Sequence, residues 1–204
     1  MILKNPAKSS EFANFFMKLT ACFGELNRFE DNIIQIARVS GIDLTSLHID
    51  HLAVRMNDNE TARTWRTMLL EGSKLLKESE VNGRSIGLFK LNQPLIFCGQ
   101  PVDVIELPFP KGKIYPEQGW EHIEAVFPRL NDETAEQWVA RTLAHFKLET
   151  NPHIQLKISQ PQVKGEQLPN PTIAITFTIK SLTSGNNCCL KLHPYDIKHV
   201  ICSE

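Results

Sequence analysis

Alternating apolar and polar positions divide the chain into two halves that repeat one order of elements. Strand-type alternation with a period of two runs from Leu47 to Arg55 and again from Glu121 to Phe127. Helical spacing of apolar residues follows each strand, from about Asp58 to Lys77 in the first half and from about Asp132 to Phe146 in the second. Because further strand-like runs follow both helices, the pattern predicts a βαβββ unit that occurs twice, or nearly so.

Short apolar runs bounded by glycine and proline indicate the remaining strands. In the first half, Asn82-Gly83 indicates a turn and Gln93-Pro94 a break. In the second half, His193-Pro194 interrupts the last run, and a linker rich in Lys, Gly and Pro over 111–118 separates the halves. The predicted strands are Ser85–Leu91 and Val102–Leu107 in the first half, and Ile154–Gln160, Thr172–Ile179 and Cys189–Ile201 in the second, with a loop over Pro161–Pro171.

Two amphipathic helices ahead of the first strand carry no evident chemistry. One begins at Ser9 or Ser10 and ends at Gly24, and the other runs from about Glu25 to Val39 with Gly41 as its C-cap. We expect residues 1–45 to form an N-terminal helical appendage that covers a sheet or makes a homodimer. The following domain spans residues 46–204, with module one over 46–110 and module two over 115–204.

The first strand of each half carries a histidine preceded by an acidic residue, Asp50-His51 in one half and Glu121-His122 in the other. A single histidine on a strand is usually a satisfied structural residue. Because the halves are alike, however, the two imidazoles can converge where the halves meet. In the strand Val102–Leu107, Glu106 points away from the apolar face, and a carboxylate in so apolar a strand needs a partner.

Charge and composition favour a small molecule as the partner. The chain has 22 basic and 23 acidic side chains, so its net charge of -1 recommends neither nucleic acid nor an anionic membrane. Its five cysteines are odd in number and form no C-x-x-C pair, which indicates neither a disulfide framework nor a thiolate zinc site. The N-terminus lacks the apolar core of a signal peptide, and no apolar run is long enough to span a bilayer, so we expect a cytoplasmic protein.

Three motifs carry a resemblance to a known superfamily. They are His51-Leu52-Ala53-Val54-Arg55, Val104-Ile105-Glu106-Leu107 before a proline, and Trp120-Glu121-His122-Ile123-Glu124. These resemble the metal-site strands of the vicinal oxygen chelate superfamily, which includes glyoxalase I, extradiol dioxygenases and fosfomycin or bleomycin resistance proteins. The whole chain, with its helical N-terminus, resembles the YecM family of bacterial proteins through Asn82-Gly83-Arg84, Gly119 to Glu124, Leu168-Pro169-Asn170-Pro171-Thr172 and His193-Pro194.

The resemblance implies an α+β fold in which two βαβββ modules form a cup-shaped mixed sheet around a divalent metal ion. The first and last strand of each module would each supply one ligand. Carried over position by position, it places His51 and Glu106 in module one and His122 in module two. The fourth ligand falls at His199 if His193 to Asp196 is the turn before the final strand. The ion would be zinc, iron, nickel, cobalt or manganese.

Two further residues are candidates for catalysis. Glu124 lies two residues after His122 and therefore faces the same side of its strand, where it can act as a general base or as a partner of a ligand. Arg55 has a similar relation to His51 and can bind a substrate carboxylate or phosphate, the alternative being a salt bridge at the rim of the cup.

The leading hypothesis is a metal-dependent enzyme that acts on a small oxygen-bearing substrate by isomerase, lyase or dioxygenase-like chemistry. The alternative is a protein that binds a small molecule in the same cup without turnover. That alternative gains weight if His199 is not a ligand and Glu124 has a structural partner. A third option makes the N-terminal helices an interaction arm and the cup a scaffold.

Overall fold

Two βαβββ modules share one eight-stranded mixed sheet in the computed structural model. The structure describes residues 6–160, 168–178 and 188–202, with the backbone alone for residues 6–9. Within these ranges the helices are α1 (Pro6–Phe23), α2 (Leu26–Ser40), α3 (Asn59–Gly72), α4 (Ala135–His145) and α5 (Ile197–Cys202). The strands are β1 (His48–Arg55), β2 (Ser73–Val81), β3 (Arg84–Phe97), β4 (Gln100–Pro108), β5 (Gly119–Val126), β6 (Ile154–Ser159), β7 (Thr172–Phe177) and β8 (Cys189–His193).

The strand order makes the two modules equivalent. The sheet runs β2-β3-β4-β1-β5-β8-β7-β6, and the first strand of each module lies parallel to its fourth. The modules join where β1 and β5 pair antiparallel, with Leu52 opposite Ile123 at the centre of the register. His51 precedes Leu52 and His122 precedes Ile123, so the two histidines occupy equivalent positions. The predicted α+β class, with paired modules in a cup-shaped mixed sheet, is confirmed.

The N-terminal helices pack on the face of the sheet opposite the cup. The Phe23 ring at the end of α1 lies 4.8 Å from the Trp65 ring and 5.0 Å from the Trp120 ring. From α2, Phe29 stacks on Trp120 with centroids 5.8 Å apart. Gly119 has a φ of +119°, and a Cβ there would lie 2.2 Å from the Phe23 carbonyl oxygen, so only glycine allows this approach. Covering the sheet was one of the two arrangements expected for these helices.

Module one departs from the predicted elements at two places. The helix predicted to reach Lys77 ends at Gly72, and the next residues form β2. Asn82 and Gly83, with φ of 50° and 76°, close a tight hairpin between β2 and β3, and this pairing overrides the helical preference of the sequence. The predicted break at Pro94 is also wrong, because β3 continues to Phe97 with an irregular register between Lys90 and Leu95.

The end of module two departs from the predicted strand. That strand was expected to reach Ile201, but β8 ends at His193 and the chain re-forms as α5 after Pro194. Proline cannot continue the ladder, so the chain turns at this point. Ile179 and most of the loop predicted over Pro161–Pro171 lie outside the described residues. In the ranges that the structure describes, no helix is long and apolar enough to cross a bilayer.

Candidate metal centre

Each of the two equivalent histidines follows an acidic residue that lies at a β-bulge. Between the paired strands β1 and β5, Asp50 and Glu121 are the extra residues that the register skips. A bulge lets neighbouring side chains reach the same side of the sheet. Asp50 Oδ2 therefore lies 3.1 Å from His51 Nδ1, and Glu121 Oε2 lies 3.2 Å from His122 Nδ1. These carboxylates hold both rings in place, with Nε2 directed to the junction of the modules.

Four donors meet at this junction. His51, Glu106, His122 and Glu124 each offer a ligand atom, and these atoms lie within 4.8 Å of one another. His51 Nε2 is 3.5 Å from Glu106 Oε2, and His122 Nε2 is 3.7 Å from Glu124 Oε1. His51 Nε2 is buried and makes no hydrogen bond of good geometry with any described residue.

This donor set fits a divalent ion. Ligands with bonds of about 2.1 Å lie roughly 3.0–3.4 Å apart around a metal, so donor atoms that lie within 4.8 Å of one another need to approach by at most about 1.4–1.8 Å. Two imidazoles and two carboxylates suit zinc, manganese, iron(II), cobalt or nickel, and they do not discriminate among them.

Lys191 stands where module two should carry the counterpart of Glu106. Ala53 in β1 pairs with Glu106 in β4, and the equivalent residue of β5, Glu124, pairs with Lys191 in β8. Lys191 Nζ lies 3.0 Å from Glu124 Oε1 and 2.8 Å from His122 Nε2. An ion bound to His122 Nε2 and this ammonium group therefore compete for one position, so Lys191 has to move aside when an ion binds.

His193 completes the cluster from the end of β8. Its ring is fully buried, with Nε2 3.3 Å from Asp50 Oδ2 and Nδ1 3.2 Å from Glu124 Oε2. The ring centroids of His193 and His51 lie 6.1 Å apart. His193 thus links the carboxylate behind His51 to the carboxylate that faces the candidate ion position.

The cluster stays charged despite its burial. Burial by itself raises the pKa of Glu106, but His51, His122 and Lys191 lower that pKa to about 2. Burial likewise raises the pKa of Glu124, and the charges of Lys191 and His51 bring it well below its ordinary value. Burial lowers the pKa of His51, whereas Glu124, Asp50 and Glu106 raise it well above its ordinary value. Because the pKa of Glu124 is low, this carboxylate is suited to be a ligand or counter-ion and is a weak general base.

A cavity of about 330 Å³ opens above the cluster on the cup side of the sheet. Its floor includes Glu106, Glu124 and Lys191. Helix α5 borders it through Ile197, Val200 and Ile201, whose spacing of three and four residues places them on one helical face. Strands of both modules supply the walls, so the cavity belongs to the joined molecule and not to one half.

The structure brings together four of the six predicted site residues, namely His51, Glu106, His122 and Glu124. His199 lies on α5 and is exposed, with its ring 5.9 Å from that of Tyr195. The resemblance implied His199 as a ligand only if a final strand followed a turn over His193 to Asp196. In α5 it lies off the face that borders the cavity, so His199 does not join the cluster.

Arg55 is also placed away from the cavity. It lies at the end of β1, where the linker between the modules folds over it. Its Nε donates to the Glu117 carbonyl oxygen at 3.2 Å, and its guanidinium lies 4.7 Å above the Tyr115 ring. One of its terminal nitrogens is 3.8 Å from Glu121 Oε1. Arg55 therefore supports the carboxylate behind His122, and the cavity wall does not include it.

Sequence reasoning missed Lys191 and His193. The predicted last strand extends past the observed end at His193, and the His193-Pro194 break indicates a turn at a residue that lies within β8. A strand restricted to Cys189–His193 would have placed Cys189, Lys191 and His193 on one face by simple alternation. The repeated acid-histidine pair was visible in the sequence, but the bulges that bring each carboxylate beside its histidine were not.

Comparison with known proteins assigns the family. The model of the YecM protein family matches residues 18–204. The chain belongs to the YecM family.

An uncharacterized protein of Haemophilus influenzae is 44% identical over 185 residues, covering 91% of this chain and 94% of that protein. Protein YecM of Escherichia coli is 37% identical over 182 residues, covering 88% and 90%. A solved structure described as "Structural Genomics, Protein EC4020" is 33% identical, with a TM-score of 0.73 over 100% of this chain and 98% of that one. The match to the family model confirms the resemblance to the YecM family that the sequence motifs indicate.

Proposed function

We propose that this protein is a divalent-metal-dependent enzyme that acts on a small oxygen-bearing substrate in the cup. The observation that carries the proposal is the convergence of His51, Glu106, His122 and Glu124 from both modules on one point. The resemblance of the opening strands to those of the vicinal oxygen chelate superfamily supports the same reading. His199 has no part in this proposal.

The residues of the cluster would have different roles, as metal ligands or as carboxylates that orient the histidine rings. His51, Glu106 and His122 would hold the ion, and Glu124 would be the fourth ligand. Asp50 and Glu121 keep the rings oriented, which typically matters by tenfold to a hundredfold in metal affinity. When bound, the ion would supply a Lewis acid that polarises a substrate oxygen.

Lys191 would act next to the substrate. Its ammonium group lies at the floor of the cavity beside Glu124, and the charges of Glu124 and Glu106 raise its pKa above the ordinary value of 10.5. A permanent cation in this position stabilises negative charge that develops on a substrate oxygen. Epimerisation, isomerisation, lyase and ring-cleaving oxygenase reactions all develop such charge, so the geometry supports the class and not a single member.

Metal analysis of the protein purified without chelator tests the proposal. We expect about one divalent ion per chain, and its loss in His51→Ala and in His122→Ala. His153→Ala is the matched control, because His153 lies in a turn before β6 and is exposed. Equal metal content in all four proteins would show that the cluster does not hold an ion.

A second candidate is a protein that binds a small molecule without turnover. Two observations favour it: His199 lies outside the cluster, and Glu124 has a partner in Lys191. Against it, Asp50 and Glu121 contact the Nδ1 atoms of His51 and His122, an arrangement typical of histidines that bind metal through Nε2. Metal bound by the wild type and lost from both histidine variants would favour the enzyme.

A further inference from the structure

The cavity is lined by four cations, Lys77, Arg84, Lys157 and Lys191, and two of them come from strands near opposite ends of the sheet. Arg84 begins β3 in module one, and Lys157 lies on β6 at the far edge of module two. Both border the cavity that has Glu106, Glu124 and Lys191 at its floor. The two modules therefore each place a cation at the border of the same cavity, Arg84 being half-buried and Lys157 exposed.

Among the described residues, no carboxylate lies within 4.0 Å of Arg84 or Lys157. Other cations of the chain do have such partners: Arg66 pairs with Glu78, and Lys198 pairs with Asp103. A half-buried guanidinium in a cavity is costly without an anion, and its fork of donors matches a carboxylate or phosphate.

The rest of the lining limits the size and character of the ligand. Apolar side chains lie between the cations and the floor, and the volume is at the small end of the range for ligand pockets. The ligand should therefore combine an anionic group with a short apolar body. The apolar residues of the lining are Val81, Ile86, Leu88, Ala174, Ile197, Val200 and Ile201.

The floor does not repel such an anion once an ion is present. Asp50, Glu106, Glu121 and Glu124 carry four negative charges, and a divalent ion together with Lys191 and Arg55 supplies four positive charges. The balance leaves the other lining cations, Lys77, Arg84 and Lys157, to determine the sign of the ligand.

We propose that the cup binds a small organic anion, a carboxylate or phosphate ester with a short apolar body, and that Arg84 and Lys157 select it. The anionic group lies toward these two side chains, and the other end of the molecule reaches the cluster. This inference rests on the proposed function only for the reaction of the ligand at the cluster, and the binding of the anionic group does not depend on it.

Titration of the full-length protein, purified without chelator, with two probes of one shape tests the charge selection. The probes are 3-methylbutanoate and its neutral isostere 3-methylbutanamide, followed by the shifts of backbone amide signals in nuclear magnetic resonance spectra. We expect saturable binding of the carboxylate and at least about fivefold weaker binding of the amide. Inorganic phosphate as a third probe shows whether a dianion binds more tightly than the carboxylate, since both belong to the proposed class.

Variants assign the selection to the two residues. Arg84→Met and Lys157→Met keep the apolar stem of each side chain, and each should weaken carboxylate binding by about fivefold to tenfold. Arg84→Lys should retain most of the affinity, and Arg63→Met, an exposed position on α3, should leave it unchanged. Equal binding of the acid and the amide, or wild-type affinity in both methionine variants, would overturn the inference.

The outcome is separable from that of the metal test. Arg84→Met leaves all four candidate ligands intact, so its metal content should equal that of the wild type. Anion selection without bound metal would leave a cup that binds anions and refute only the proposed function. Metal binding without anion selection would refute only this inference.

Discussion

At the scale of single residues, the two modules have the same backbone arrangement and differ in charge at two equivalent positions. Module one has Ala53 on its first strand and Glu106 on its fourth, whereas module two has Glu124 on its first strand and Lys191 on its fourth. Module one therefore carries its carboxylate on the fourth strand, whereas module two carries it on the first strand and has a lysine on the fourth. The exchange keeps two carboxylates at the junction and adds an ammonium group beside them.

Replacing Lys191 by methionine should raise the affinity for manganese(II) by at least about tenfold. The variant removes a group that occupies His122 Nε2, and it removes the repulsion between an ammonium group and a divalent ion. At about 5 Å that repulsion is roughly 1.7 kcal/mol even with water-like screening, and 1.4 kcal/mol corresponds to a factor of ten. Isothermal titration calorimetry measures the change.

Lys198→Met is the matched control for this comparison. Lys198 pairs with Asp103 and lies outside the four-donor cluster, so its replacement should leave the affinity unchanged. A lower manganese affinity in Lys191→Met would show that the ammonium group assists the binding of the ion, contrary to the geometry described above.

At the scale of elements, strands with clear alternation were predictable and junctions between elements were not. The strand that carries His122 and the strand that carries Glu106 were correctly located, because apolar alternation and flanking prolines bound them. β2 was missed, since Lys74 to Glu78 are good helix formers and only pairing with β3 makes them a strand. α5 was missed for a similar reason, because six residues carry too little periodicity to separate a helix from a strand.

Helix α4 depends on a carboxylate at its beginning, which gives a pH-dependent stability. Glu133 binds Arg141 through both oxygens, at 2.6 and 2.8 Å, and this lowers the pKa of Glu133 to about 2. A folded pKa below the ordinary value of 4.5 stabilises the protein above pH 4.5, and the contribution disappears as the pH falls toward 2. Glu133→Gln should therefore lower the free energy of unfolding by about 1–2 kcal/mol at pH 7, and by less at pH 3.

Urea unfolding of wild type and variant at the two pH values measures this difference. Glu149→Gln serves as the control, because Glu149 is exposed and lies one turn beyond the end of α4. An equal loss at pH 7 and pH 3 would mean that Glu133 acts through packing and not through its charge.

At the scale of the whole molecule, the duplication predicts the fold, and the candidate ion position arises only from the joined halves. The equivalence of His51 and His122 could be read from the repeated acid-histidine pair in the sequence. The convergence of their rings depends on the antiparallel register of β1 with β5, which no local pattern encodes. His193 and Lys191 enter the cluster because β8 lies next to β5, a contact between residues almost seventy positions apart.

A bound ion should therefore stabilise the molecule as one unit. If the ion binds only the folded state, manganese(II) at about one hundred times its dissociation constant contributes about 2.7 kcal/mol. For a chain of this size each 1 kcal/mol raises Tm by about 2–4 °C, so the expected increase is about 5–10 °C. Differential scanning calorimetry with manganese(II) and with chelator measures it.

His51→Ala in module one and His122→Ala in module two should each abolish the increase, while His153→Ala keeps it. An increase that survives in either ligand variant would mean that one module holds the ion without the other, which is incompatible with a centre built at their junction.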